Sequence, residues 1–130
     1  MMALADVHSS PTDMQSVGLK AYSRLTAEWC LTLREAAQLL DVSESTWKRI
    51  KAEQFSGDLT RDQMLRLSAL VGLYKALALY FDSPLSERWV KLENTGPLFD
   101  GQRPLARMIE GGLPTIIAVR TYVDALRGGA

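Results

Sequence analysis

Apolar positions along the chain recur mostly at intervals of three and four, and few segments alternate, so the sequence predicts an all-α protein. Residues 1–11 end at Pro11 and read as a disordered tail. Thr12 and Gln15 follow with T-x-x-Q spacing, in which hydroxyl and amide satisfy the first free backbone donors of a helix. Met14, Val17, Ala21 and Leu25 give that helix one apolar stripe, which fades near Glu28; Gly18 within it weakens the pattern. Thr32 and Glu35 form a stronger capping box ahead of LREAAQLL, and Ser43 is placed to cap a second short helix, ESTWKRIKA. Thr60 and Gln63 open a long helix running to about Phe81. In Asp82-Ser83-Pro84 the serine is expected as cap and the proline at the first helical position, with Leu85, Trp89 and Leu92 sharing one face of the helix.

The texture changes after Asn94, where Gly96, Pro97, Gly101, Pro104, Gly111, Gly112 and Pro114 punctuate the chain. Asp100-Gly101 predicts a tight reversal folded against Trp89. Pro104 can open a short helix ending at Gly111, and Pro114 a last one with Ile116, Val119, Val123 and Leu126 at helical spacing. TIIAVRTYV is rich in β-branched residues, which keeps a strand over 115–123 open as an alternative. Gly128-Gly129-Ala130 reads as a short flexible end.

Charge narrows the function. The 130 residues carry 15 Lys+Arg against 15 Asp+Glu, so the chain cannot coat a polyanion by bulk electrostatics, and any nucleic-acid role needs a local patch. Cys30 and His8 are the only residues of their kinds, which excludes an intramolecular disulfide and a Cys/His zinc site. Cys30, between Trp29 and Leu31, reads as a small buried hydrophobe. MMALADVHSS has neither the basic nor the apolar region of a signal peptide, and Leu67–Phe81 is broken by Lys75 and too short to span a membrane. A soluble cytoplasmic protein without a membrane partner is expected. Catalytic groups are scarce: His8 lies in the tail, and Glu87, Glu93, Asp100 and Glu110 have no spacing that pairs them. Gly111-Gly112 is followed by Pro114 and not by G-K-[ST], so phosphate binding is not indicated. No enzyme activity, cofactor or metal is expected.

The patch that neutrality requires lies within Thr32–Lys51, TLREAAQLLDVSESTWKRIK. Two short helices around a tight turn need a small residue where they cross, here Ala37, and burial of Leu33, Ala36, Leu40, Val42, Trp47 and Ile50. Ser43, Glu44, Ser45, Lys48, Arg49 and Lys51 then form the outward face, with residue types that reach base edges and phosphates in a major groove. The segment resembles the helix-turn-helix of the Xre family of bacterial regulators. It departs from the common pattern at Asp41, where glycine is frequent, and at Trp47, where a β-branched residue is usual; Asp tolerates the left-handed conformation. The competing reading is an ordinary helix pair with a solvated basic face.

The helix from Arg61 to Phe81 is apolar nearly all round, with Leu67, Leu70, Tyr74, Leu77 and Phe81 on one stripe and Leu65, Leu73, Ala76 and Tyr80 on others. Such a helix is either wrapped within its own domain or shared with a second copy of the chain. The string from Trp89 to Gly129 resembles the toxin-binding domain of the MbcA/ParS/Xre antitoxins, through Trp89, Asn94, Leu98-Phe99, Gly101, Pro104-Leu105, Gly111-Gly112 and a closing helix near Leu126. This resemblance implies a type II antitoxin that occludes the cleft of an NAD-consuming RES-domain toxin and represses its own operon at operator DNA. It implies toxin contacts from the last helix and tail, where Arg120, Tyr122, Asp124, Arg127, Gly128 and Gly129 stand. The resulting organisation is a tail at 1–11, a helix-turn-helix domain at 12–59, and a central dimerisation helix with a small helical toxin-binding domain at 60–130. A homodimer or a larger complex with the toxin is expected. A stand-alone dimeric regulator and an adaptor without DNA binding are the other readings.

Overall fold

A computed structural model describes residues 11–127, and each regular element among them is helical. In chain order these are α1 (Pro11–Glu28), α2 (Leu33–Leu40), α3 (Glu44–Lys51), α4 (Arg61–Tyr80), the single turn α5 (Leu85–Arg88) continuing into a 3-10 turn (Trp89–Lys91), α6 (Pro104–Gly111) and α7 (Leu113–Arg127). The expectations for residues 1–10 and for 128–130 lie outside the described residues. Pro11 belongs to α1 rather than to the tail, since its fixed φ suits the first turn of a helix. Residues 115–123 are helical: Ile116, Val119 and Val123 fall on one buried face, and that packing outweighs the few tenths of a kcal/mol per residue by which β-branched side chains disfavour a helix.

The core is one cluster running from Leu19 of α1 to Val123 of α7. At its centre lies α4, which packs along α7 on one side and α1 on the other. Its buried residues are Leu67, Ala69, Leu70, Leu73, Ala76 and Leu77, whereas Leu65, Leu79 and Tyr80 stay exposed. At Gly18 a side chain would meet Leu67 Cδ2 at 2.7 Å, so the glycine that weakens α1 also lets it approach α4 closely. Arg120 of α7 lies across Gly72 of α4, where a side chain would collide with the guanidinium. No helix among the described residues is long and apolar enough to cross a membrane.

Several local expectations give way to longer-range contacts. Gln15 does not close a capping box. Its Nε2 donates to Gly57 O at 2.9 Å and its Oε1 accepts from Leu59 N at 2.8 Å, stitching the loop before α4 onto α1. Gln15→Ala is therefore expected to lose two hydrogen bonds and about 1–2 kcal/mol, read as a lower urea midpoint. Ser83 is not a helix cap; its Oγ donates to the Glu87 carboxylate at 2.7 and 2.9 Å and holds that carboxyl below its usual range. Leu85, Trp89 and Leu92 do not share a face, because the helix tightens into a 3-10 turn after Arg88. Trp89 is buried, while Leu85 and Leu92 are exposed.

Cys30 is exposed, contrary to its apolar neighbours, because it ends α1 at φ 55 with Leu31 N donating to Thr26 O at 2.9 Å. In such a left-handed helix end the side chain at that residue is turned out of the core. The Cys30 carbonyl accepts from Lys91 Nζ, which ties the end of α1 to the 3-10 turn.

Tyr74 donates its hydroxyl to Glu28 at 2.6 Å, and this bond raises the phenol above its ordinary pKa of 10.0. The protonated phenol is thus favoured in the folded chain. The bond's contribution is full below the unfolded value and is lost as the pH rises through the folded one. Denaturant midpoints measured below and above pH 10.0 should show a larger drop than in Tyr74→Phe, which keeps the drop due to the buried Tyr22 phenol.

Candidate functional site

The segment at 32–51 folds as two helices around a tight turn. Thr32 Oγ1 accepts from Glu35 N at 3.0 Å and Glu35 Oε1 accepts from Thr32 N at 2.9 Å, closing the capping box that starts α2. Asp41 ends α2 in the left-handed region, φ 64 and ψ 48, and Val42 N donates to Ala37 O at 3.0 Å. Ala36, Ala37 and Leu40 are buried, as is Leu39, while Leu33 and Val42 are only partly covered. Trp47 and Ile50 are the buried face of α3. The Trp47 indole packs into α1, edge-on to Tyr22 with centroids 5.2 Å apart, and the Tyr22 hydroxyl donates to Ala36 O at 2.8 Å. Burial of that phenol raises its pKa far above the ordinary value.

With Trp47 and Ile50 inward, a rotation of about 100° per residue points Ser45, Lys48 and Arg49 away from the core, with Glu44 and Lys51 on the flank. All five are exposed. Ser43 is also exposed, but its hydroxyl is engaged as the N-cap, accepting from Thr46 N at 3.1 Å and sharing hydrogen bonds with Ser45 Oγ at 3.2 Å and Thr46 Oγ1 at 2.9 Å. Arg34 Nε of α2 lies 3.7 Å from the Glu44 carboxylate. Among the described residues Lys48, Arg49 and Lys51 take part in no ion pair.

Two residues of α4 hold this motif in place, Gln63, expected only as part of the Thr60 capping box, and Arg66, which sequence reasoning did not single out. Gln63, besides closing the Thr60 capping box, donates Nε2 to Asp41 O at 2.7 Å. Arg66 pairs with Asp62 at 2.7 Å, and its Nη1 donates to Leu39 O at 3.3 Å. The capping box was legible, but the reach to carbonyls more than twenty positions away was not. The only signal is a cation at 66 on an otherwise apolar stretch.

The second region is built on a hairpin-like loop. Asp100 and Gly101 take φ 51 and φ 78, Gln102 N donates to Phe99 O at 2.9 Å, and Gly101 N donates to Asn94 O at 2.9 Å. The reversal drives Phe99 edge-on against Trp89, with centroids 5.7 Å apart, and Tyr122 of α7 completes the cluster at 5.2 Å from Phe99. Gly112 joins α6 to α7 at φ 69, a conformation that a β-carbon would strain. The Tyr122 ring contacts join α7 to the loop and to the 3-10 turn.

On α7 the structure separates the expected toxin-facing residues. Arg120 and Asp124 pair at 3.8 Å on one strip, with side chains 42% and 45% exposed. Tyr122 turns the other way, half-buried, with its ring stacked on Trp89. The Arg127 side chain, Gly128 and Gly129 lie outside the described residues.

Comparison with known proteins accounts for almost the whole chain. Residues 9–72 match the antitoxin Xre-like helix-turn-helix domain, and residues 76–129 match the antitoxin Xre/MbcA/ParS C-terminal toxin-binding domain. The two matches meet inside α4. The uncharacterized protein y4oB of Sinorhizobium fredii (strain NBRC 101917 / NGR234) is 33% identical over 113 residues, covering 85% of this chain and 84% of that protein. No solved structure matches significantly.

Proposed function

The chain belongs to the Xre/MbcA/ParS family of antitoxins, and from that premise we propose that it neutralises a RES-domain, NAD-consuming toxin and represses its own operon. The observation that carries this reading is the tandem order of a helix-turn-helix domain and a toxin-binding domain, joined through α4 into one core. The protein works by binding rather than by catalysis. In this reading α3 enters the major groove of operator DNA, where Lys48, Arg49 and Lys51 meet phosphates while Ser43 fixes the helix start.

The toxin is held by α7 and the residues that follow it. Arg120 and Asp124 supply exposed polar contacts, and Arg127, Gly128 and Gly129 enter the cleft. Tyr122 acts from behind, setting the helix through its ring contacts with Trp89 and Phe99. A dimer presents two copies of α3 to two half-sites. The exposed Leu65, Leu79 and Tyr80 of α4 supply apolar surface for that association.

The test is to express the neighbouring open reading frame alone and together with this chain, following growth and cellular NAD. NAD should collapse only when the chain is absent. A neighbour that is harmless alone would remove the antitoxin reading, and a toxic neighbour that leaves NAD intact would remove the RES assignment.

A further inference from the structure

We infer that Glu44 is a residue by which this protein selects sequence, accepting a hydrogen bond from the exocyclic amine of a cytosine in the major groove. This rests on the operator-binding reading above and adds a base to it.

Glu44 stands in the first turn of α3 and Arg34 in the first turn of α2, and their 3.7 Å pairing shows that the starts of the two helices converge at one edge. The pair is exposed, 76% for the Arg34 side chain and 49% for Glu44, so solvent screening leaves it little role in stability. The same short helix presents Lys48, Arg49 and Lys51 to solvent. A carboxylate on a cationic surface that meets a polyanion is repelled by every phosphate. Its favourable partners there are donors, and on the DNA the donors are on the bases.

The major groove offers two exocyclic amines, N4 of cytosine and N6 of adenine. Adenine sets the acceptor N7 beside its amine, where it repels the second carboxylate oxygen; cytosine has C5–H on that side, its neighbouring acceptor being O6 of the paired guanine, already bonded to the amine. The carboxylate therefore favours cytosine, whereas an amide, with a donor and an acceptor, matches adenine.

The acceptor role falls to Glu44 because Lys48, Arg49 and Lys51 carry donors only. The Ser43 hydroxyl is spent on the helix start, and Ser45 shares a hydrogen bond with it. Arg34 completes the arrangement. When Glu44 turns to the base, the guanidinium at the same edge is released toward the adjacent phosphate, so neither charge is left unpartnered.

The test is selection from a random-sequence duplex library with the full chain and three variants at one fixed salt concentration. Wild type should enrich a cytosine at one position of each half-site. Glu44→Gln should move that preference to adenine. Glu44→Ala should flatten it, reducing discrimination by roughly five- to 150-fold at that position while total binding holds or rises. Arg34→Ala should weaken binding to all sequences and leave the cytosine in place. Cytosine enrichment that survives Glu44→Ala, or a uniform loss with the base preference unchanged, overturns the assignment while salt-dependent duplex binding still supports the operator reading. Absence of duplex binding by wild type overturns both. Glu44 is exposed, and matching circular dichroism spectra of the variants confirm that a lost preference is not lost folding.

Discussion

Trp47→Ala is expected to cost about 3–5 kcal/mol of stability, the range for deleting a large buried aromatic side chain from a packed core. The indole is 1% exposed and packs edge-on to Tyr22 at 5.2 Å, so its removal opens a void between α1 and α3. It also leaves Ile50 as the remaining buried residue of α3. Since small domains hold only about 5–15 kcal/mol in total, the variant should unfold at markedly lower urea and bind operator DNA weakly at ordinary temperature. Trp47→Phe should recover most of the loss. An unchanged urea midpoint in Trp47→Ala would show that α3 is held by something other than its inward face.

The second large effect is electrostatic. Lys48→Ala with Arg49→Ala should weaken operator binding by counterion release alone, about five- to sixfold at physiological salt for each phosphate that is no longer neutralised. That is roughly thirtyfold for one copy of α3 and about a thousandfold for two, so the size of the effect also reports how many copies engage the DNA. The slope of log affinity against log salt should become shallower by about one for each such phosphate. Both residues are exposed and in no ion pair among the described residues, so folding should be unaffected. Affinity that does not move would place the DNA-binding surface elsewhere on the chain.

Both predictions concern a segment that was readable in advance because its signals are local. Thr32 with Glu35, Asp41 at the turn, Ser43 as cap and the Trp47–Ile50 spacing act within a few residues of where they stand, and each is found as expected. Thr60 with Gln63 behaves in the same way. The Asp100-Gly101 reversal against Trp89 was legible for the same reason.

The failures share an opposite cause. Gln15 has the right spacing for a capping box, but its amide finds two backbone partners more than forty positions away. Cys30 sits between apolar neighbours, but the left-handed residue that ends α1 turns it outward. Tyr122 is a separate case: nothing in the local sequence shows that its ring packs on Trp89 and Phe99.

The sequence alone therefore determined the helical class, the starts of α2, α3, α4 and α6, the inward and outward faces of α3 and the family, because periodicity, capping and turn chemistry are written within a few residues of one another. Tertiary structure alone decided that 115–123 is helix and not strand, that Gln63 and Arg66 brace the turn between α2 and α3, and that Arg120 and Asp124 share a strip from which Tyr122 is withdrawn. Each of those outcomes depends on packing or hydrogen bonding between segments far apart in the chain. Burial against α4 and carbonyls left free at helix ends select among local options that the sequence leaves nearly equal in energy.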